Sequence, residues 1–161
     1  MAHLIKRFLF LAALLAVLTS CQQKAANFLP ENIGEFRKVK ELTGDAAKEF
    51  VNNLHFQKVT DLENRIGFYE GVGGGLTIYI TFYHHADSAE TDYRKMTRKI
   101  SPRNSVFVQG EYLELEGLPC YRCYGMGQTH FVFRKDKSLV WMSVPTIGAE
   151  KLLRTYLAMV R

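Results

Sequence analysis

The sequence predicts an α+β domain: an antiparallel sheet with about three helices packed mainly on one face. Three observations carry that expectation. Apolar residues recur at helical spacing in three separate segments. They alternate with polar residues in neighbouring segments, and short glycine-rich or charged links join those segments in the manner of hairpins. An antiparallel sheet is the economical outcome of links that short.

The first helix is expected over 44–54, where Ala46, Ala47, Phe50, Val51 and Leu54 share a face and Thr43 or Asp45 can cap. Asn64–Glu70 and Leu76–Tyr83 follow as a hairpin across Gly71–Gly75. In its second strand Leu76, Ile78, Ile80 and Phe82 alternate with Thr77, Tyr79, Thr81 and Tyr83, which is the period of a half-buried strand. A second helix is expected over 88–100, with Ala89, Tyr93, Met96 and Ile100 on one face and Glu90 four residues before Arg94. Pro102 ends it. His130–Arg134 and Leu139–Val144 form another hairpin across Lys135–Ser138, and shorter strands are expected at 55–60, 105–109, 111–116 and 120–126. A third helix over 148–160 closes the chain, with Ala149, Leu152, Leu153, Tyr156 and Val160 inward. Hairpin-then-helix therefore occurs twice, at 64–100 and 129–160, which suggests a β-β-α pseudo-repeat in a two-layer domain.

The start of the chain carries a different kind of signal. Lys6 and Arg7 precede an apolar run from Phe8 to Leu18, and Leu18-Thr19-Ser20-Cys21 closes it. That run is eleven residues long, whereas crossing a bilayer takes roughly 20. Its length suits the core of a signal peptide. The segment resembles the signal peptide and lipobox of a bacterial lipoprotein, all four lipobox positions matching. The resemblance implies cleavage before Cys21, lipid on its thiol (diacylglycerol, with palmitate among the acyl chains), and attachment of the domain to a membrane of the cell envelope. Gln22 is not the aspartate that retains many such proteins in the inner membrane, so the resemblance points to an outer membrane facing the periplasm where the cell has two.

The organisation that follows is a signal peptide over 1–20, a lipidated cysteine and tether over 21–29, and one α+β domain over 30–161. Removing 20 of the 161 residues leaves 141, enough for a single domain with a core of its own. Two cations leave with the leader, so the net charge falls from +5 to +3, with Lys and Arg scattered among Asp and Glu. No basic block, helix-turn-helix or zinc-finger spacing points to nucleic acid. The partners expected are the membrane, through Cys21, and an envelope protein or small ligand near it.

With Cys21 assigned to lipid, two of the three cysteines remain, in Cys120-Tyr-Arg-Cys123. A disulfide suits an oxidising envelope, but residues i and i+3 of an extended strand point to opposite faces, so bridging needs a turn or bulge. Free, partly buried thiols are the other structural reading. A redox or metal role is the functional alternative. Thioredoxin-like sites place CxxC at a helix start, whereas Tyr124–Phe133 reads as more strand. Haem attachment needs a histidine at position 124, and zinc needs two further ligands. His84, His85 and His130 could supply them only if strand ends converge, and no metal or cofactor is expected.

Other motifs dissolve on inspection. The glycine run leads into a strand and lacks the Lys-Ser/Thr of a phosphate loop. No nucleophile signature follows the leader, and Glu111, Glu114 and Glu116 read as the solvated side of a strand. Tyr79, Tyr83, Tyr121, Tyr124 and Trp141 are the candidate binding face, expected to line the side of the sheet opposite the helices. The sequence thus predicts a non-catalytic, membrane-anchored binding or structural domain.

Overall fold

The computed structural model describes residues 27–55, 58–100 and 106–160. The leader, Cys21 and most of the tether fall outside them. Among the described residues eight strands form one antiparallel sheet: β1 (Asn32–Ile33), β2 (Phe36–Thr43), β3 (Glu63–Gly71), β4 (Gly74–Phe82), β5 (Val108–Leu115), β6 (Leu118–Gly125), β7 (Gln128–Lys135) and β8 (Ser138–Pro145). Their order across the sheet is β1-β2-β3-β4-β8-β7-β6-β5. Three helices accompany them: α1 (Gly44–Leu54), α2 (Ala86–Lys99) and α3 (Ala149–Met159). The α+β class is as the sequence predicts, and the two main hairpins and all three helices lie within two residues of their expected bounds.

The two halves of the chain meet at one seam, where β4 pairs with β8 in the register Ile78↔Met142, Tyr79↔Trp141 and Ile80↔Val140. Directly opposed residues share a face. Ile78, Ile80, Met142 and Val140 therefore point one way, with Phe131 and Phe133 of β7, into a core completed by Leu153, Tyr156 and Leu157 of α3. Tyr79 and Trp141 point the other way. On that second face Val132, Tyr121, Cys123 and Leu139 pack against Tyr93 and Met96 of α2. Phe50 brings α1 to the same face, 5.7 Å from the Phe68 ring and 6.4 Å from Tyr79. Two of the three helices thus share a face, and α3 covers the other.

The pseudo-repeat holds for strands alone. The halves β1–β4 and β5–β8 are laid out as mirror-ordered sets about the seam, which a two-fold axis normal to the sheet would produce. Such an axis would also put α2 and α3 on the same face, and they lie on opposite faces. Nor does α1, between β2 and β3, have a counterpart, since β6 and β7 are joined by a tight turn at Met126-Gly127.

Four points differ from the expectation. The segment 36–43 is a full strand that the alternation in sequence does not announce, because Arg37, Lys38, Lys40 and Glu41 interrupt it and a bulge shifts its register between Lys38 and Lys40. The strand expected at 55–60 does not form over its described residues, and the pieces expected at 105–109 and 111–116 are one bulged strand, β5. The tether is shorter than expected. Phe28 and Leu29 are buried in the core, so the domain begins before Pro30.

The N-terminal segment is held by charge and by close approach. Lys38 Nζ donates to the Leu29 carbonyl at 3.0 Å and pairs with Glu31 and Glu41, both at 2.8 Å, while Glu41 also pairs with Arg65 at 2.6 Å. A Cβ at Gly67 would lie 2.8 Å from the side chains of both Leu29 and Tyr69, so a larger residue there would force one of them to move. Tyr156 donates its hydroxyl to the Phe28 carbonyl at 2.9 Å, tying α3 to the same strap.

One buried group stands out. The Tyr69 hydroxyl is buried without a hydrogen-bond partner among the described residues. A buried unpaired hydroxyl costs about 1–3 kcal/mol. Tyr69→Phe should therefore raise stability by about 1 kcal/mol, read as a higher denaturant midpoint. A lower midpoint would show that the hydroxyl makes a bond the core needs.

Candidate functional site

The two cysteines of β6 occupy opposite sides of the sheet. Cys120 stands opposite Phe133 and packs in the α3 core, whereas Cys123 stands opposite His130 and packs with α2. No turn or bulge intervenes between them, so the disulfide expected as one reading does not form, and both thiols are free and buried. Burial pushes Cys120 up to about 12 and Cys123 up to about 11, away from the thiolate that redox and metal chemistry need. Among the described residues no group of three or more His, Cys, Asp or Glu side chains is placed to hold a metal.

The aromatic face is also rearranged. Tyr79, Tyr83, Tyr121 and Trp141 do share a side of the sheet, but α1 and α2 cover that side and α3 packs on the other, so the aromatic side is not opposite the helices. Tyr121 is buried and donates to the Ile100 carbonyl at 3.2 Å. Tyr83 donates to Asp92 of α2 at 3.1 Å. Tyr124 lies on the opposite face, with the Arg122 guanidinium 5.8 Å from its ring centroid. The expected face is therefore not one surface.

At its centre lies a polar cluster that the sequence did not reveal. His130, 1% exposed, presents Nε2 to the Gly125 carbonyl at 2.9 Å; a carbonyl only accepts, so that nitrogen carries the proton. Nδ1 is then the acceptor, for Ser143 Oγ at 2.9 Å and Trp141 Nε1 at 3.1 Å. The Phe107 ring closes over it, 4.9 Å from the imidazole and 5.3 Å from Trp141. A serine hydroxyl donating to an imidazole has the form of a nucleophile and its base. Here both side chains are buried and all of the ring's polar atoms are used. The cluster acts instead as a clamp that fixes the chain leading into β5.

An open cleft of about 260 Å³ lies at the start of α3, lined by Arg122, Tyr124, Thr129, Thr146, Glu150 and Lys151. Arg122 pairs with Glu150 at 2.6 Å and also with Glu111, so one guanidinium ties β5, β6 and α3 together. Its charge is spent on that crossing rather than turned toward the cleft.

The remaining feature is at one end of the sheet. Register puts the β3–β4 turn, the β6–β7 turn, the end of β8 and the start of β5 side by side, through Gly71↔Gly74, Gly125↔Gln128, Gln128↔Pro145 and Val108↔Tyr124. The Gln128 side chain donates to the Gly75 carbonyl at 2.9 Å across this end. Each link exposes an aliphatic side chain: Val72 at 85%, Ile147 at 94%, Met126 at 72% and Val106 at 70%. The other end is polar, with Glu116-Gly117, Asp136-Lys137 and His84-His85 exposed. The signal was present in the sequence as Gly71-Val72-Gly73, Gly125-Met126-Gly127 and Ile147-Gly148, but only the sheet order brings these links together.

No protein-family model matches the chain, and no curated protein matches it. Among solved structures the chain is similar to a GTP binding regulator from Thermotoga maritima, with a TM-score of 0.51 and 13% identity over 81% of this chain and 84% of that one. At that identity the likeness is one of fold.

Two outcomes follow from the buried groups. In a Cys21→Ala chain, Cys120 and Cys123 should take up no alkylating agent at pH 8 while folded, with or without reductant, and both should react once unfolded. Intact mass reads this, and uptake that depends on reductant would restore the disulfide. His130 is held below its ordinary 6.5 by burial, which the hydrogen bond to Gly125 only partly offsets. The unfolded chain then binds the extra proton first as pH falls. Its contribution to stability is full above about pH 6.5 and is lost as pH drops through the folded value. Urea midpoints measured from pH 7.5 to pH 5 should fall in the wild type and flatten in His130→Gln.

Proposed function

We propose that the protein is a bacterial envelope lipoprotein whose α+β domain binds a partner at a membrane surface and performs no catalysis of its own. The observation that carries the proposal is the leader: a cationic start, an apolar run too short to span a bilayer, and Leu18-Thr19-Ser20-Cys21. Cleavage before Cys21 would leave it joined to Phe28, the first core residue, by six residues. Fully extended, such a link reaches roughly 25 Å from Cα to Cα. The domain is then confined to the layer next to the bilayer, on the periplasmic side of an outer membrane where the cell has two.

The domain's interior supports binding over chemistry. Its thiols are buried on opposite faces, and its Ser143–His130 pair is sealed beneath Phe107. Among the described residues no helix is long and apolar enough to cross a membrane. In this reading attachment is through Cys21, where two or three acyl chains hold firmly and one does so only reversibly.

Metabolic labelling with a fatty-acid analogue tests the reading. Wild-type protein should carry the label, whereas Cys21→Ala should lose it and retain residues 1–20, seen by intact mass. Label that persists in Cys21→Ala, or a wild-type chain cut elsewhere than before Cys21, would overturn the assignment.

A further inference from the structure

The row of aliphatic turns at one end of the sheet has no structural use within the domain. Among the described residues, five of the ten exposed large apolar side chains gather there, namely Val72, Val106, Val108, Met126 and Ile147, so the exposure is not scattered. One of them is held against local preference. Met126 sits at φ 51°, followed by Gly127 at φ 76°, in a two-residue hairpin turn that favours Asn-Gly or Asp-Gly. At the other end the same left-handed position is filled by charged residues, Glu116 at φ 53° before Gly117 at φ 75°, and Asp136 at φ 53°. An apolar side chain in that conformation gains nothing for the fold.

We propose that this row inserts into a lipid surface, Val72, Ile147, Met126 and Val106 entering the boundary between headgroups and acyl chains. The shape argues for lipid over protein. A standard protein interface buries about 800 Å² on each side through roughly 20–30 residues packed against a matched surface. Four prongs on separate turns, in single file along a sheet edge, offer no such continuous area. A fluid apolar phase surrounds each prong without a preformed pocket, and burying Val, Ile and Met there is favourable side chain by side chain. The charge argues for a neutral lipid surface. Arg122 is occupied by Glu111 and Glu150, Arg37 stands opposite Glu70, and exposed Lys151 beside Ile147 is matched at the same end by exposed Glu35, so the charge around the row is mixed and not a cationic collar for anionic headgroups.

The inference does not rest on lipid at Cys21, and its test removes that thiol. In the full chain carrying Cys21→Ala, an environment-sensitive dye is placed at Ile147→Cys or, at the opposite end, at Asp136→Cys; Cys120 and Cys123 are buried and should stay unlabelled. Vesicles of phosphatidylethanolamine and phosphatidylcholine are then added. The dye at 147 should shift to the blue and be quenched by lipids carrying a quencher on the acyl chain, while the dye at 136 stays in water. Neither salt nor added phosphatidylglycerol should change the result much. Met126→Asn should weaken the 147 response yet raise the denaturation midpoint, which separates lost insertion from lost folding. Replacing Val72, Met126 and Val106 together by Ser should weaken it about tenfold or more. Equal responses at 147 and 136, a 147 dye that stays water-like on vesicle-bound protein, or a blue shift that grows with protein concentration without vesicles would each overturn the proposal.

Discussion

The pairing of β4 with β8 is the constraint on which the rest depends. Each set of four strands is contiguous in sequence, and the two sets form one sheet only through this ladder from Thr77↔Ser143 to Phe82↔Ser138. Its register does more than join them. Ile78, Ile80, Val140 and Met142 must face α3, and Tyr79 and Trp141 must face α1 and α2. A slip of one residue would exchange the two sets, turning the aliphatic row away from α3 and the aromatic pair into its core, so that neither face would match the helices packed on it. The same ladder aligns the turn after β3 with the end of β8, so the apolar end of the sheet is a consequence of this register too.

Periodicity made most elements legible, and its limits are equally physical. Helical spacing over 44–54 and period two over 76–82 survive because each face of those segments keeps one character. Strand β2 does not, since its ion pairs Lys38–Glu41 and Glu41–Arg65 place charge on an inward face and a bulge breaks the count. Alternation also separates Tyr79 from Ile78 and Ile80 without showing what covers its side, and only the register sets Trp141 beside it. Which face a helix crosses to depends on a loop of a few residues, and α2 and α3 leave equivalent strands for opposite faces. The aromatic face was thus correct in part as a set and wrong as a surface, and Tyr124 was wrong in both respects.

The cysteines illustrate how secondary structure decides chemistry. In a CxxC at a helix start both sulfurs turn toward the same terminus, whose dipole favours the thiolate. In the uninterrupted strand β6 the same spacing sends Cys120 and Cys123 through opposite sides of the sheet, and burial then favours the thiol at each. The spacing could be read from the sequence. The absence of a bulge between them could not.

The two ends of the sheet set a geometric condition on the readings proposed here. The chain enters the core at Phe28, whose ring lies 5.7 Å from Phe82 at the polar end. The apolar turns lie at the other end of strands nine residues long, a rise of roughly 27 Å. A tether spanning roughly 25 Å at full stretch falls just short of that length. A lipid on Cys21 and the apolar turns can therefore meet one leaflet only with the sheet tilted and the tether drawn back along the domain, at a cost in chain entropy. With the tether relaxed, the apolar turns point away from the anchoring leaflet and toward whatever surface faces it. Lengthening residues 22–27 with Gly and Ser would relieve the first arrangement and leave the second nearly unchanged, so the dependence of turn insertion on tether length distinguishes a domain folded back on its own membrane from one that reaches across to another.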